Sequence, residues 1–116
     1  MRSVYRVEKF DGWIIDIGTN TIRKDKLEIE LSPKAMDVLT LLWSRVNTTV
    51  KVEEILSECW PNTIVGINSV YQAMSEIRRA FGHEQDAKSP VVTIPKRGYR
   101  LTTTSRSSTS VSEQRR

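Results

Sequence analysis

The residues best suited to chemistry in this sequence lie between Gly66 and Phe81, in a segment with helical periodicity. Four short or planar polar side chains recur there on one predicted face, namely Asn68, Gln72, Ser75 and Arg79. Asn and Gln can form paired hydrogen bonds with adenine, and Arg can do so with guanine. A face needed only for solubility would more often carry Glu and Lys. The pattern favours contact with base edges, and the alternative is an ordinary amphipathic helix with a polar outer face.

A second group of polar residues extends this surface. Ser69, Tyr71 and Arg78 flank the polar face. The turn Pro95 to Gly98 carries two adjacent cations between two short predicted strands. Long cationic side chains on a thin hairpin can reach a minor groove, where the potential is negative. The candidate DNA-contacting residues are Asn68, Ser69, Tyr71, Gln72, Ser75, Arg78, Arg79, Lys96 and Arg97.

The helix that must hold the polar face is predicted from Ile67 or Ser69 to Phe81. Its buried stripe consists of Val70, Met74, Ile77 and Phe81. Ser69 and Gln72 have capping-box spacing, and Gly82 supplies a stop because glycine adopts a left-handed conformation without a Cβ clash. This helix is about 20 Å long and could lie in a major groove about 12 Å wide.

The segments upstream complete a small α+β domain. Short alternating segments between residues 4 and 31 predict antiparallel strands, with Leu27, Ile29 and Leu31 on one buried face. Ser32-Pro33 opens a core helix that is expected to reach about Val46, and a second helix is expected from about Val52 to Cys59. A loop then leads to the polar helix, which gives the order of a helix-turn-helix.

Composition and charge restrict the classes of function. The 116 residues carry a net charge of +4, 38% hydrophobic residues, one cysteine and one histidine. Residues 66–101 hold six basic and three acidic residues, whereas residues 1–65 hold nine basic and ten acidic residues. No apolar run is long enough for a membrane span, no metal cluster or cofactor motif is evident, and no nucleophile stands beside a base. We therefore expect a protein that is not an enzyme and that needs no cofactor.

Four ordered motifs over residues 4–102 give the chain a family resemblance. They are Leu31 to Leu39, Val52 to Leu56 with Trp60, Gln72 to Arg79, and Thr93 to Leu101. The chain resembles the OmpR/PhoB-type winged-helix DNA-binding domains, and more closely their ToxR/CadC-like branch. The resemblance implies an N-terminal four-stranded antiparallel sheet, three helices and a C-terminal hairpin wing. It also implies double-stranded promoter DNA as partner, with the recognition helix in the major groove and the wing at the minor groove.

Further partners follow from the resemblance alone. The loop between the second and third helices would face RNA polymerase through Pro61, Asn62, Thr63, Ile64 and Val65. Binding to direct repeats implies a homodimer on DNA or pairing with a partner regulator. Because the first predicted strand begins three residues after Met1, we expect no preceding receiver domain. Like ToxR/CadC-like members, the protein is then expected to be cytoplasmic in this part and anchored in the inner membrane through a segment absent from this chain.

The sequence also predicts where the folded domain ends. The winged-helix domain is predicted to span residues 1–102, and the Ser/Thr-rich residues 103–116 are predicted to form a flexible linker.

The competing hypothesis for function is a winged helix that acts as a protein-interaction module without specific DNA binding. That alternative predicts weak binding independent of DNA sequence, and no loss on changing Gln72 or Ser75.

Overall fold

The computed structural model describes residues 4–82, 89–103 and 106–112, which form two antiparallel sheets and three helices. The first sheet begins with β1 (Val4–Phe10), β2 (Trp13–Asp16), β3 (Thr21–Lys24) and β4 (Leu27–Glu30). The helices are α1 (Pro33–Ser44), α2 (Val52–Cys59) and α3 (Ile67–Ala80). A second sheet contains β5 (Val50–Lys51), β6 (Val91–Ile94) and β7 (Gly98–Leu101). None of the helices in the described ranges has the length and apolarity to cross a bilayer.

The first sheet follows the turn chemistry of the sequence. Asp11, Asn20 and Asp25 all have positive φ, at the three turns that join the first four strands. The strand order β4-β3-β2-β1 confirms the predicted four-stranded N-terminal sheet. The expectation that Leu27 is buried is wrong: its side chain is 49% exposed, because it begins the edge strand β4, whereas Leu31 is buried.

A further strand, β8 (Arg106–Ser112), departs from the expected flexible tail. It pairs antiparallel with the outer edge of β1 along all seven residues, from Val4 opposite Ser112 to Phe10 opposite Arg106. Such pairing uses backbone hydrogen bonds, and this segment contains neither Pro nor Gly to interrupt them. Residues 106–112 therefore close a sheet edge and do not form a free linker; residues 104–105 and 113–116 of that prediction lie outside the described residues.

The core lies between the helices and the two sheets. Met36, Leu39 and Leu42 of α1 and Val70, Met74 and Ile77 of α3 are fully buried. Phe81 contacts both Trp13 and Phe10 edge-on, with ring centroids 4.8 and 5.8 Å apart, so the C-terminal end of α3 is fixed against the first sheet. Helix α1 ends at Ser44, two residues earlier than predicted.

Candidate nucleic-acid interface

The N-terminus of α3 differs from the sequence-based prediction. The helix begins at Ile67 with Gly66 as N-cap, and no side chain caps it. The proposed capping box of Ser69 and Gln72 is wrong because the extended backbone of Gly66 starts the helix earlier and places Ser69 within the first turn. The helix ends at Ala80, one residue earlier than predicted, with Phe81 as its C-cap. Gly82 follows with a φ of +68°, the left-handed conformation predicted for the stop.

The polar face of α3 is open to solvent. Asn68, Gln72, Ser75 and Arg79 are all exposed, while Val70, Ala73, Met74 and Ile77 on the opposite side are buried. With 14 residues, α3 is about 21 Å long. The predicted base-reading residues thus stand together on one uncovered helical face, and Ser69 lies half-buried at its edge. Their contact with DNA stays a prediction.

Arg78 faces the second sheet. Its Nε donates to the carbonyl oxygen of Val91 at 3.2 Å, and its Nη2 donates to Oγ1 of Thr93 at 2.5 Å. The guanidinium also lies 5.6 Å from the centre of the Tyr99 ring. These contacts join α3 to both strands of the hairpin, so Arg78 positions the helix and the wing relative to each other.

The wing is the hairpin of β6 and β7, and its tip presents two exposed cations. Arg97 donates its backbone N–H to the carbonyl of Ile94 at 2.9 Å, which closes the turn, and Lys96 has a φ of +64°. Both side chains point into solvent as predicted. The turn-proximal end of β7 is also fixed to β5, with Tyr99 opposite Val50 and Gly98 opposite Lys51.

Gly98 permits that close pairing. A Cβ at this position would lie 2.0 Å from the backbone oxygen of Val50. Tyr99, next in sequence, is buried, and burial raises the pKa of its hydroxyl. Tyr99 is therefore a packing residue of the wing.

Lys51 is a cation at this surface that the sequence analysis did not single out. It lines a recess of about 520 Å³ together with Thr49, Glu53, Lys96 and Arg97. The long-range pairing of β5 with β7 brings Lys51 beside the wing tip. In the sequence, Lys51 stands just before a helix that begins with acidic residues, and nothing in that local pattern predicts that it lies near the wing tip.

The loop between α2 and α3 is also exposed. Pro61, Asn62, Thr63 and Ile64 are open to solvent, and Val65 is half-buried. Ile64 is the most exposed of the large apolar side chains in the described part of the chain. The loop is therefore accessible to a partner, and its contact with RNA polymerase stays a prediction.

A helix-turn-helix whose third helix exposes a polar face beside a cationic hairpin defines a winged-helix nucleic-acid-binding domain. Residues 26–101 match the family model described as "Transcriptional regulatory protein, C terminal". The chain therefore belongs to this family of OmpR/PhoB-type DNA-binding domains of transcriptional regulators. The winged-helix fold and the class of DNA-binding domain are those that the sequence predicted.

Curated relatives support the assignment over part of their length. The transcriptional activator CadC of Escherichia coli K12 is 27% identical over 96 residues, which is 82% of this chain and 19% of CadC. The transcriptional regulatory protein CutR of Streptomyces coelicolor is 30% identical over 91 residues, which is 78% of this chain and 40% of CutR. The chain thus spans about one-fifth of the length of CadC and two-fifths of the length of CutR.

Solved structures share the fold. The DNA-binding domain of E. coli CadC superposes with a TM-score of 0.79 at 24% identity, covering 88% of this chain and 96% of that domain. The DNA-binding domain of the response regulator AdeR, solved in complex with an intercistronic region, gives a TM-score of 0.68 at 18% identity, covering 83% and 99%.

Proposed function

We propose that this domain binds double-stranded promoter DNA sequence-specifically, with α3 in the major groove and the wing tip at the minor groove. The observation that carries the proposal is the uncovered face of Asn68, Gln72, Ser75 and Arg79 beside exposed Lys96 and Arg97. The helix face supplies hydrogen-bonding groups for base edges, and the wing supplies positive charge for the backbone and minor groove.

Position within the interface divides the candidate residues by role. Asn68, Gln72, Ser75 and Arg79 specify sequence, and Lys96 with Arg97 contributes affinity for any duplex. Ser69 and Tyr71 lie on the flanks of the reading face. Arg78 acts chiefly by fixing the angle between α3 and the wing through Val91 and Thr93.

Partners beyond DNA rest on the family resemblance. We propose that the domain occupies direct repeats as a homodimer or beside a partner regulator, and that the loop Pro61 to Val65 is available to RNA polymerase. We further propose that it works in the cytoplasm as part of a longer, inner-membrane-anchored regulator. The small share of CadC that the chain covers supports a longer protein.

In vitro selection from random duplexes tests the proposal. Wild-type protein is expected to enrich one sequence, and Gln72→Ala should lose affinity for it by about 1–3 kcal/mol while retaining binding to unrelated DNA. Glu58→Ala, an exposed change on α2, is the matched control and should bind like wild type. Failure to enrich any sequence, with equal binding by Gln72→Ala, would support the protein-interaction alternative and overturn specific DNA recognition.

A further inference from the structure

Ile67 and the aromatic ring of Tyr71 present apolar surface on α3 that the core of the domain does not cover. Ile67 is 44% exposed and Tyr71 is 47% exposed, although both belong to a well-packed helix. They are four residues apart and therefore adjacent on the helix surface. An exposed apolar pair on a surface that is otherwise polar and cationic indicates that the partner offers an apolar group there.

The pair lies on the side of α3 that faces the wing. Ile67 and Tyr71 line an open cleft of about 340 Å³ together with Ile94 and Tyr99 of the wing. Val52 at the start of α2 also lines this cleft. Its apolar lining is thus contributed by α2, by α3 and by both strands of the wing.

Charge at the cleft identifies the kind of occupant. Lys96 and Arg97 also line it together with one acidic residue, Glu53, so the charged part of the lining is net positive and stands beside the apolar surface. Double-stranded DNA is complementary to this combination, because its phosphates are anionic and its major groove displays one apolar group, the C5-methyl of thymine.

The position of the pair along the helix favours contact with a base. Ile67 is the first residue of α3, and Tyr71 lies one turn further on. In helix-turn-helix proteins the N-terminal residues of the recognition helix contact base edges. Ile67 has no hydrogen-bonding side chain, so a methyl group is the feature of a base edge that it can distinguish.

We propose that Ile67, supported by the ring of Tyr71, contacts the C5-methyl group of a thymine and makes that base pair part of the recognised sequence. This assignment rests on the proposed DNA-binding function and names a specificity determinant within it. It adds Ile67 to the residues that select the operator and gives Tyr71 an apolar role.

The test combines the removal of one side chain from the protein with the removal of one methyl group from the DNA. The duplex enriched by wild-type protein is prepared with each thymine replaced in turn by deoxyuridine, which removes only the C5-methyl. Each duplex is titrated with wild type, Ile67→Ala and Ile64→Ala. Ile64→Ala is the matched control, since it removes the same groups from an exposed isoleucine that does not line the cleft.

Deoxyuridine at one thymine is expected to weaken wild-type binding about fourfold, the effect of one buried methyl group. Ile67→Ala should bind the thymine duplex correspondingly less tightly and should no longer distinguish thymine from deoxyuridine at that position. Ile64→Ala should distinguish them as wild type does. Coupling confined to Ile67 would support the proposal.

Three outcomes would overturn it. The first is no effect of deoxyuridine at any position, and the second is an effect that persists undiminished in Ile67→Ala. The third is equal weakening of the thymine and deoxyuridine duplexes by Ile67→Ala, as expected for contact with a deoxyribose. In each case selection by wild type and the loss in Gln72→Ala still report on specific DNA binding. The proposed function and the methyl contact therefore fail separately.

Discussion

The carboxylate of Glu76 on α3 binds the N-terminus of α1 through Ser32. Its Oε2 accepts the backbone N–H of Ser32 at 2.7 Å, and its Oε1 accepts the hydroxyl hydrogen of Ser32 at 2.9 Å. The Ser32 hydroxyl in turn accepts the N–H of Ala35 at 3.2 Å, as an N-cap does. Two residues 44 positions apart thus fix the recognition helix to the core helix.

Replacing Glu76 with Ala should therefore cost stability. We expect a loss of about 1–2 kcal/mol in the free energy of unfolding, because the N–H and hydroxyl of the N-cap residue Ser32 lose their acceptor and a negative charge near the N-terminus of α1 is removed. Urea denaturation measures the loss. The exposed control Glu58→Ala should change stability by no more than about 0.5 kcal/mol. Equal stability of the two variants would show that the Ser32 contact contributes nothing.

Gly98→Ala should destabilise the wing where β7 pairs with β5. The added Cβ would lie 2.0 Å from the Val50 oxygen, so β5 and β7 must separate, at an expected cost of at least about 2 kcal/mol. Gly66→Ser is the control, because a Cβ there meets nothing within 4 Å and Ser is a better N-cap than Gly. Thermal unfolding should show a lower midpoint for Gly98→Ala and an unchanged or higher one for Gly66→Ser.

Asn47 connects the end of α1 to the chain after β7. Its amide nitrogen donates to the Thr103 carbonyl at 3.0 Å, and its Oδ1 accepts the Thr103 N–H at 2.9 Å. Asn47→Gly keeps the positive φ of 66° but loses both bonds, so we expect about 1–2 kcal/mol of destabilisation. Hydrogen exchange at the Thr103 amide should accelerate in Asn47→Gly and stay slow in Asn47→Asp, which retains the acceptor. Equal exchange in the two variants would contradict the pairing.

Neutralising Lys96 should weaken DNA binding without changing sequence preference. Lys96→Gln is expected to reduce the slope of log affinity against log salt concentration by about 0.9, as the loss of one phosphate contact requires. Lys26→Gln, an exposed change in the turn between β3 and β4, removes the same charge from the first sheet and should leave the slope unchanged. Equal slopes for the two variants would place the wing tip away from DNA.

The Cys59 thiol should make stability depend on alkaline pH. Burial raises the pKa of Cys59 from its ordinary value to about 11, and the neighbouring Asp37 carboxylate adds to the shift. Between about pH 9 and pH 11 the unfolded chain loses the thiol proton while the folded chain keeps it, so the raised pKa lowers stability as pH rises through this window. Urea denaturation at pH 8 and pH 10.5 should show roughly 1–2 kcal/mol more loss for wild type than for Cys59→Ala.

Local patterns determined much of the fold. The period of Val70, Met74 and Ile77 specified the buried side of α3, and Ser32-Pro33 specified the start of α1, because these signals depend on neighbours within one or two turns. The turn residues Asp11, Asn20 and Asp25 likewise placed the strands of the first sheet. The exposed polar face of α3 followed from the same periodicity, and the ordered motifs identified the family.

Tertiary structure decided which side chains these elements bring together. Arg78 contacts Val91 and Thr93, and Lys51 reaches the wing tip, through pairings between residues far apart in sequence that no local period encodes. The same holds for β8, whose strand conformation depends on the free edge of β1. The sequence by itself determined the elements and the polarity of their faces. Packing alone decided their mutual placement, because backbone pairing at a sheet edge and side-chain contacts between elements depend on distance in space.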